Sequence, residues 1–163
     1  ASTMLTVQNA LQTSVVCTFV LFLKLLFSNL YLGHTKNKAG TRVAEDTYQE
    51  QGGNLTADEH ERRKEAQDRA QRVVSNDLEN IPIGLLVAWG SFDAISYSVV
   101  AMGNELEAAI GAFIALLAVF TGCRVLHTAM YMSGIGLARS LVYLISILSL
   151  LGLVILSMYA AFK

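Results

Sequence analysis

Arg124, His127 and Tyr131 recur at spacings of three and four inside a strongly apolar stretch. On an α-helix those spacings bring the three side chains within about 60° of one another, with Thr128 close by. A second set, Arg69, Arg72, Asn76 and Glu79, falls within roughly 80° by the same geometry and is bordered by Asp68. Asp77 points away from that set and is left to cap or pair locally. Arg139-Ser140 opens the last apolar stretch, and Tyr143 lies one turn further in. Glu79 pairs well with a single arginine, whereas Arg69, Arg72, Arg124 and Arg139 all approach the same zone. Such surplus positive charge suits an anionic polar ligand, because ionisable groups in a membrane face a bundle interior and either pair or serve a site. Arg124 is assigned to structural pairing with the carboxylates of the second helix, and Arg69 to charge pairing as well. Taken singly, these residues also have plainer roles. Arg139 reaches water by extending its stem, Tyr131 and Tyr143 fit an interface, and His127 fits a satisfied interior donor. A metal centre is not expected from one histidine, one glutamate and excess arginine, since His34 and His60 lie in a polar loop. Ser140 and His127 are surrounded by arginines instead of the carboxylate a triad requires.

The elements that must position these residues are legible from composition. Hydrophobic residues make up 53% of 163 residues and charged ones 15%. Eight of the twelve Lys/Arg lie from Lys36 to Arg72, so the charge is bunched. Apolar runs at 11–32, 81–100, 108–132 and 137–162 each approach or exceed the ~20 residues that cross a hydrocarbon core. Four transmembrane helices follow, the second spanning about 68–100 once its polar start is included. Asp93, Ser96 and Ser98 make the far end of that helix the least apolar. The loop at 33–67 is rich in Lys and Arg and the connection near 101–107 has none, which places the first loop on the cytosolic side. On that side the sequon at Asn54 is a chance match. The first span reads as a retained helix, not a cleaved signal.

Within the loop, Thr56 is a candidate N-cap for a helix that projects into the cytosol and runs on into the second span. Pro82 lacks the N–H that would reach the Leu78 carbonyl and predicts a kink. Lys24 is expected to pair inside the bundle or to extend to the interface. Ala108, Gly111, Ala115, Ala118 and Gly122 line one face of the third span, a pattern that lets helices approach closely in lipid and favours a tight bundle or an oligomer. Cys17 and Cys123 lie inside spans and read as small hydrophobes. Nothing basic and aromatic points to nucleic acid.

The stretches "RAQRVVSNDLENI" in the second helix and "CRVLHTAMY" with "ARSLVY" across the last two resemble the MAPEG family. These are membrane-associated proteins of eicosanoid and glutathione metabolism, including microsomal glutathione transferases and microsomal prostaglandin E synthase. "NDLEN" is similar to the transferases, and "ARS" before Tyr143 to the prostaglandin synthase branch. The resemblance covers essentially the whole chain and implies one domain over 1–163. It implies an all-α integral membrane four-helix bundle that forms a homotrimer, with a glutathione site between neighbouring subunits open to the cytosol. It assigns glutathione contacts to Lys36, Arg72, Asn76, Glu79, His127, Tyr131, Arg139, Ser140 and Tyr143. Asp46 resembles a loop carboxylate that some members place near the thiol, so Arg139, Ser140 and Asp46 form the expected catalytic group.

Glutathione fits the charge inventory, since it carries two carboxylates, one ammonium and a thiol that must ionise. A lipophilic electrophile or hydroperoxide arriving from the bilayer is the implied second substrate, and an isomerase of the prostaglandin synthase type is a further reading. The implied location is the endoplasmic reticulum, with a mitochondrial or other organelle membrane as the alternative. Ser75 replaces an arginine frequent in relatives, and the stretch from Trp89 to Glu107 is longer than their pattern. Both fit an alternative function, a non-catalytic accessory subunit of a larger membrane complex.

Overall fold

A computed structural model describes residues 5–41, 56–102 and 107–162. Four helices account for them: α1 (Val7–Ala39), α2 (Ala57–Met102), α3 (Glu107–Met132) and α4 (Gly136–Phe162). All four are long and apolar enough to cross a membrane, and no strand occurs among the described residues. The chain is an all-α, membrane-type four-helix protein, as the apolar runs predict.

The helix ends follow local chemistry. Thr6 and Asn9 cap α1 reciprocally, with the Thr6 N–H donating to Asn9 Oδ1 at 2.9 Å and the Asn9 N–H to Thr6 Oγ1 at 3.4 Å. Thr56 caps α2 as expected, accepting the Glu59 N–H at 3.4 Å. α1 and α3 both end on a left-handed glycine, Gly40 (φ 70°) and Gly134 (φ 74°). In each case the next residue reaches back to close the last turn, Thr41 N–H to the Lys36 carbonyl and Ile135 N–H to the Met130 carbonyl, both at 3.1 Å. The second of these turns sets where Arg139 and Ser140 begin α4. α2 is one continuous helix of 46 residues that carries Pro82 inside it. The stretch beyond Trp89 is therefore helical as far as Met102.

The chain divides into two compact units, Ala1–Phe22 with Asn80–Lys163, and Leu23–Glu79. In the larger unit α3 packs against α4. Its core is a bulky stripe on α3, Phe113, Leu117 and Phe120, none more than 1% exposed, together with Leu153 of α4. The small residues Ala108, Ala115, Ala118 and Gly122 lie on the exposed side of α3, so close packing inside the chain does not use that face. Polar bonds supplement the packing: Ser91 donates to the Leu153 carbonyl at 3.1 Å and Ser98 to the Ala160 carbonyl at 2.6 Å, tying α2 to α4. Trp89 donates to Thr18 Oγ1 at 3.2 Å and meets Phe92 edge-on. Cys17 and Cys123 are both free and buried.

Gly84 marks the closest approach in this unit. A Cβ there would overlap the Phe120 ring, and Phe120 is fully buried. Gly84→Ala therefore overpacks the core and is expected to cost about 1–3 kcal/mol. Thermal unfolding in detergent would show a lowered midpoint, and Gly84→Ala with Phe120→Leu would recover most of it.

In the smaller unit the second half of α1 runs antiparallel to the first half of α2 around Leu32, Ala70 and Val74, with Tyr31 packed against them. Below this cluster Lys24 and Asp77 form a buried ion pair. Ser28 donates to Asp77 Oδ2 at 2.9 Å and to the Lys24 carbonyl at 3.0 Å, so the second carboxylate oxygen is also satisfied. The expectation that Lys24 pairs inside the bundle holds, and its partner is the carboxylate set aside as local.

Candidate functional site

In the larger unit, five of the residues singled out in sequence form one continuous row where α3 ends and α4 begins. Arg139 lies over the Tyr131 ring, its guanidinium carbon 4.4 Å from the centroid. Tyr131 and His127 have ring centroids 5.9 Å apart, and His127 and Tyr143 are 6.1 Å apart. Arg124 comes next, 5.3 Å from the Tyr143 centroid and 5.8 Å from that of Phe120. The row follows from helical period. His127 and Tyr131 share a face of α3, and Arg139 and Tyr143 share a face of α4, each pair four residues apart. Gly134 folds one helix back on the other.

Arg124 is fully buried, and its Nε and Nη2 donate to Ser146 Oγ at 2.9 and 2.6 Å. A guanidinium between aromatic faces and a hydroxyl is held by cation–π attraction and hydrogen bonding, for which Arg suits better than Lys. Ser146 was not singled out in sequence. The signal was present, since Ser146 lies within about 60° of Arg139 and Tyr143 on α4. Exposure varies among the other members: His127 is buried, Tyr131 and Arg139 are half-buried, and Tyr143 is 39% exposed. The positive charge nearest the surface is Arg139.

Ser140 sits apart from the row. It is about 100° around α4 from Arg139, exposed, and its Oγ donates to the Gly136 carbonyl at 3.3 Å. That bond satisfies the hydroxyl and holds it beside the turn, one residue from the guanidinium.

The remaining candidates belong to the smaller unit. Arg69, Arg72 and Glu79 are exposed and Asn76 is half-buried, while Ala70, Val73, Val74 and Asp77 are buried on the other side of α2. The polar stripe expected from spacing is therefore a real face of the helix, left uncovered by its own unit. Arg69 is paired locally, with Nη2 3.2 Å from Glu65 Oε2 one turn earlier. Lys36 is half-buried in the last turn of α1. Asp46 lies outside the described residues.

The arrangement offers a shielded aromatic and cationic row beside a lipid-facing surface, where Leu137 and Leu141 are 79% and 55% exposed. Fixed cations of this kind attract and orient anionic groups. No curated protein and no solved structure matches the chain at significance. The model of one family, described as the MAPEG family, matches residues 14–159. That match takes in most or all of each of the four helices and every described residue of the site, and the chain belongs to the MAPEG family.

Proposed function

We propose that the protein binds glutathione and activates its thiol against a lipophilic electrophile or hydroperoxide drawn from the membrane. The observation that carries this reading is the row from Arg139 through Tyr131, His127 and Tyr143 to Arg124, in a chain of a family associated with glutathione chemistry. Arg72 and Lys36 provide cations for the two glutathione carboxylates, and Glu79 provides the counter-charge for its ammonium. Asn76, His127, Tyr131 and Tyr143 contribute hydrogen-bonding groups along the peptide. Arg139 holds the sulfur as thiolate with help from the Ser140 hydroxyl, and Asp46 stands as a further candidate near the thiol.

In transfer, the thiol proton leaves to solvent and the sulfur attacks the electrophilic carbon. A C–S bond forms and the leaving group departs with its electron pair. With a hydroperoxide the sulfur attacks the distal oxygen, the O–O bond breaks to release an alcohol, and a second glutathione completes reduction to disulfide and water. The working unit in this reading is a homotrimer. Asp93 supports that assembly: it is exposed on α2 between Gly90 and Tyr97 in a membrane-spanning stretch, where a lipid-facing carboxylate is costly and protein cover removes the cost. The endoplasmic reticulum is the proposed membrane.

Glutathione added to the detergent-purified protein should produce thiolate absorbance at neutral pH, and a lipophilic aryl chloride should then be consumed with release of chloride. Absence of both signals from a correctly folded protein would favour a non-catalytic accessory subunit instead.

A further inference from the structure

We propose that a basic cleft between the end of α1 and the start of α2 binds the phosphate headgroup of an anionic phospholipid in the surrounding membrane. The cleft has a volume of about 330 Å³ and is lined by Lys38, Glu59, Arg62, Arg63 and Ala66, all in the smaller unit. It lies outside the residues assigned to glutathione and does not depend on that reading.

Helical period sorts the charges. Glu59, Arg62, Arg63 and Ala66 share one face of α2, whereas Asp58, Glu61 and Glu65 cluster about 120° away. With Lys38 of α1, that face gives the cleft three cations and a single carboxylate. That carboxylate is already committed, with Glu59 Oε1 3.1 Å from Arg63 Nη2. Arg63 Nη1 also donates to the Lys38 carbonyl at 3.2 Å, and Thr41 donates to Gln67 Oε1 at 2.7 Å. These bonds tie the two helix ends together and fix the cleft before any ligand arrives. Arg62 and Lys38 are exposed and supply the surplus positive charge.

Depth identifies the ligand. The apolar run of α1 ends at Leu32, and Lys38 lies six residues beyond it, about 9 Å along the helix. Headgroups occupy roughly the first 5–8 Å outside the hydrocarbon core, and the flexible stem of Lys38 spans the difference. A small cleft with modest surplus charge at that level matches one phosphate on a lipid anchored beside it, since juxtamembrane Lys and Arg clusters bind anionic headgroups. An extended acidic peptide would require a longer basic track than two surplus cations provide.

Native mass measurement of the detergent-purified protein, equilibrated with equal amounts of phosphatidylglycerol and phosphatidylcholine, tests the assignment. The wild type is expected to retain phosphatidylglycerol preferentially. Arg62→Gln should weaken that retention about fivefold and Lys38→Gln/Arg62→Gln about thirtyfold. Lys64→Gln, which removes the same charge two residues away off the cleft face, should leave it unchanged. All three positions are exposed, so folding is expected to persist and is verified by unchanged thermal unfolding. Equal retention of the two lipids, or full retention by the double variant, overturns the proposal. Displacement of the lipid by equimolar inorganic phosphate or by a polyglutamate peptide would also overturn it, pointing to a free anion or a protein partner respectively.

Discussion

Asp77→Ala is expected to lower the unfolding free energy by about 3–5 kcal/mol, the largest stability loss of any single change considered. Asp77 is fully buried and Lys24 is 8% exposed, in helices that cross the membrane. Removing the carboxylate leaves the ammonium of Lys24 in a low-dielectric interior without its counter-charge, and leaves Ser28 without one acceptor. Water cannot replace the missing group cheaply there. The pair itself contributes much less than the penalty for breaking it, because desolvating both ions consumes most of their attraction. Lys24→Met/Asp77→Leu should therefore recover most of the lost stability, and Asp77→Asn should fall between. Unfolding in mixed detergent micelles of increasing denaturing strength would order the four proteins. A loss below about 1 kcal/mol for Asp77→Ala would place that site nearer to water than its burial indicates.

The same pair marks where sequence reading reached its limit. Four spans and the start of α2 at Thr56 were legible because length, apolar runs and capping act locally, whereas α1 runs on to Ala39, beyond the apolar run that ends at 32. The face carrying Arg69, Arg72, Asn76 and Glu79 was legible as well, since helical period alone defines it. Asp77 was assigned to local pairing because its direction differs from that face, yet its partner lies 53 residues earlier on α1. Periodicity says which residues share a side of one helix and nothing about which helix meets that side.

The third span gives the same lesson with the opposite outcome. Its small-residue stripe favours close approach in a tight bundle or an oligomer, and in-chain contacts use Phe113, Leu117 and Phe120 on another side. Two stripes of period 3.6 coexist on α3, and only the neighbouring α4 decides which is buried. For Arg124, the neighbours on α4 went unnamed in the sequence reading. Its bonds to Ser146 and its place between Phe120 and Tyr143 depend on how α4 folds back at Gly134. A neutral hydroxyl and two ring faces leave no charge signature in sequence.

Arg139→Ala is expected to give the largest loss of activity under the proposed glutathione reading, between about 10-fold and 100-fold near neutral pH. A free thiol with pKa near 8.5 is only about 3% ionised at pH 7. A guanidinium beside the sulfur favours the charged form and lowers that pKa, and each unit of lowering corresponds to about 1.4 kcal/mol. The thiolate of the wild-type complex is then already formed at neutral pH, so its rate should vary little from pH 7 upward. Without Arg139 the thiol titrates like free glutathione, and the rate should rise about tenfold per pH unit until it levels near pH 8.5. The deficit therefore shrinks as pH rises, a profile that a general folding defect would not produce.

Arg139 is half-buried in the first turn of α4 and touches the Tyr131 face, so its loss should leave the native mass of the assembly unchanged. Arg139→Lys keeps the charge but loses the planar stacking that fixes its position, and should recover activity only in part. Ser140→Ala should cost less than Arg139→Ala, because the Ser140 hydroxyl is engaged with the Gly136 carbonyl and has to turn away before it can donate to sulfur. If Arg139→Ala retained both the thiolate absorbance and the flat pH profile, the sulfur would be stabilised elsewhere. Arg124, fully buried behind Tyr143, would then be the cation to test next.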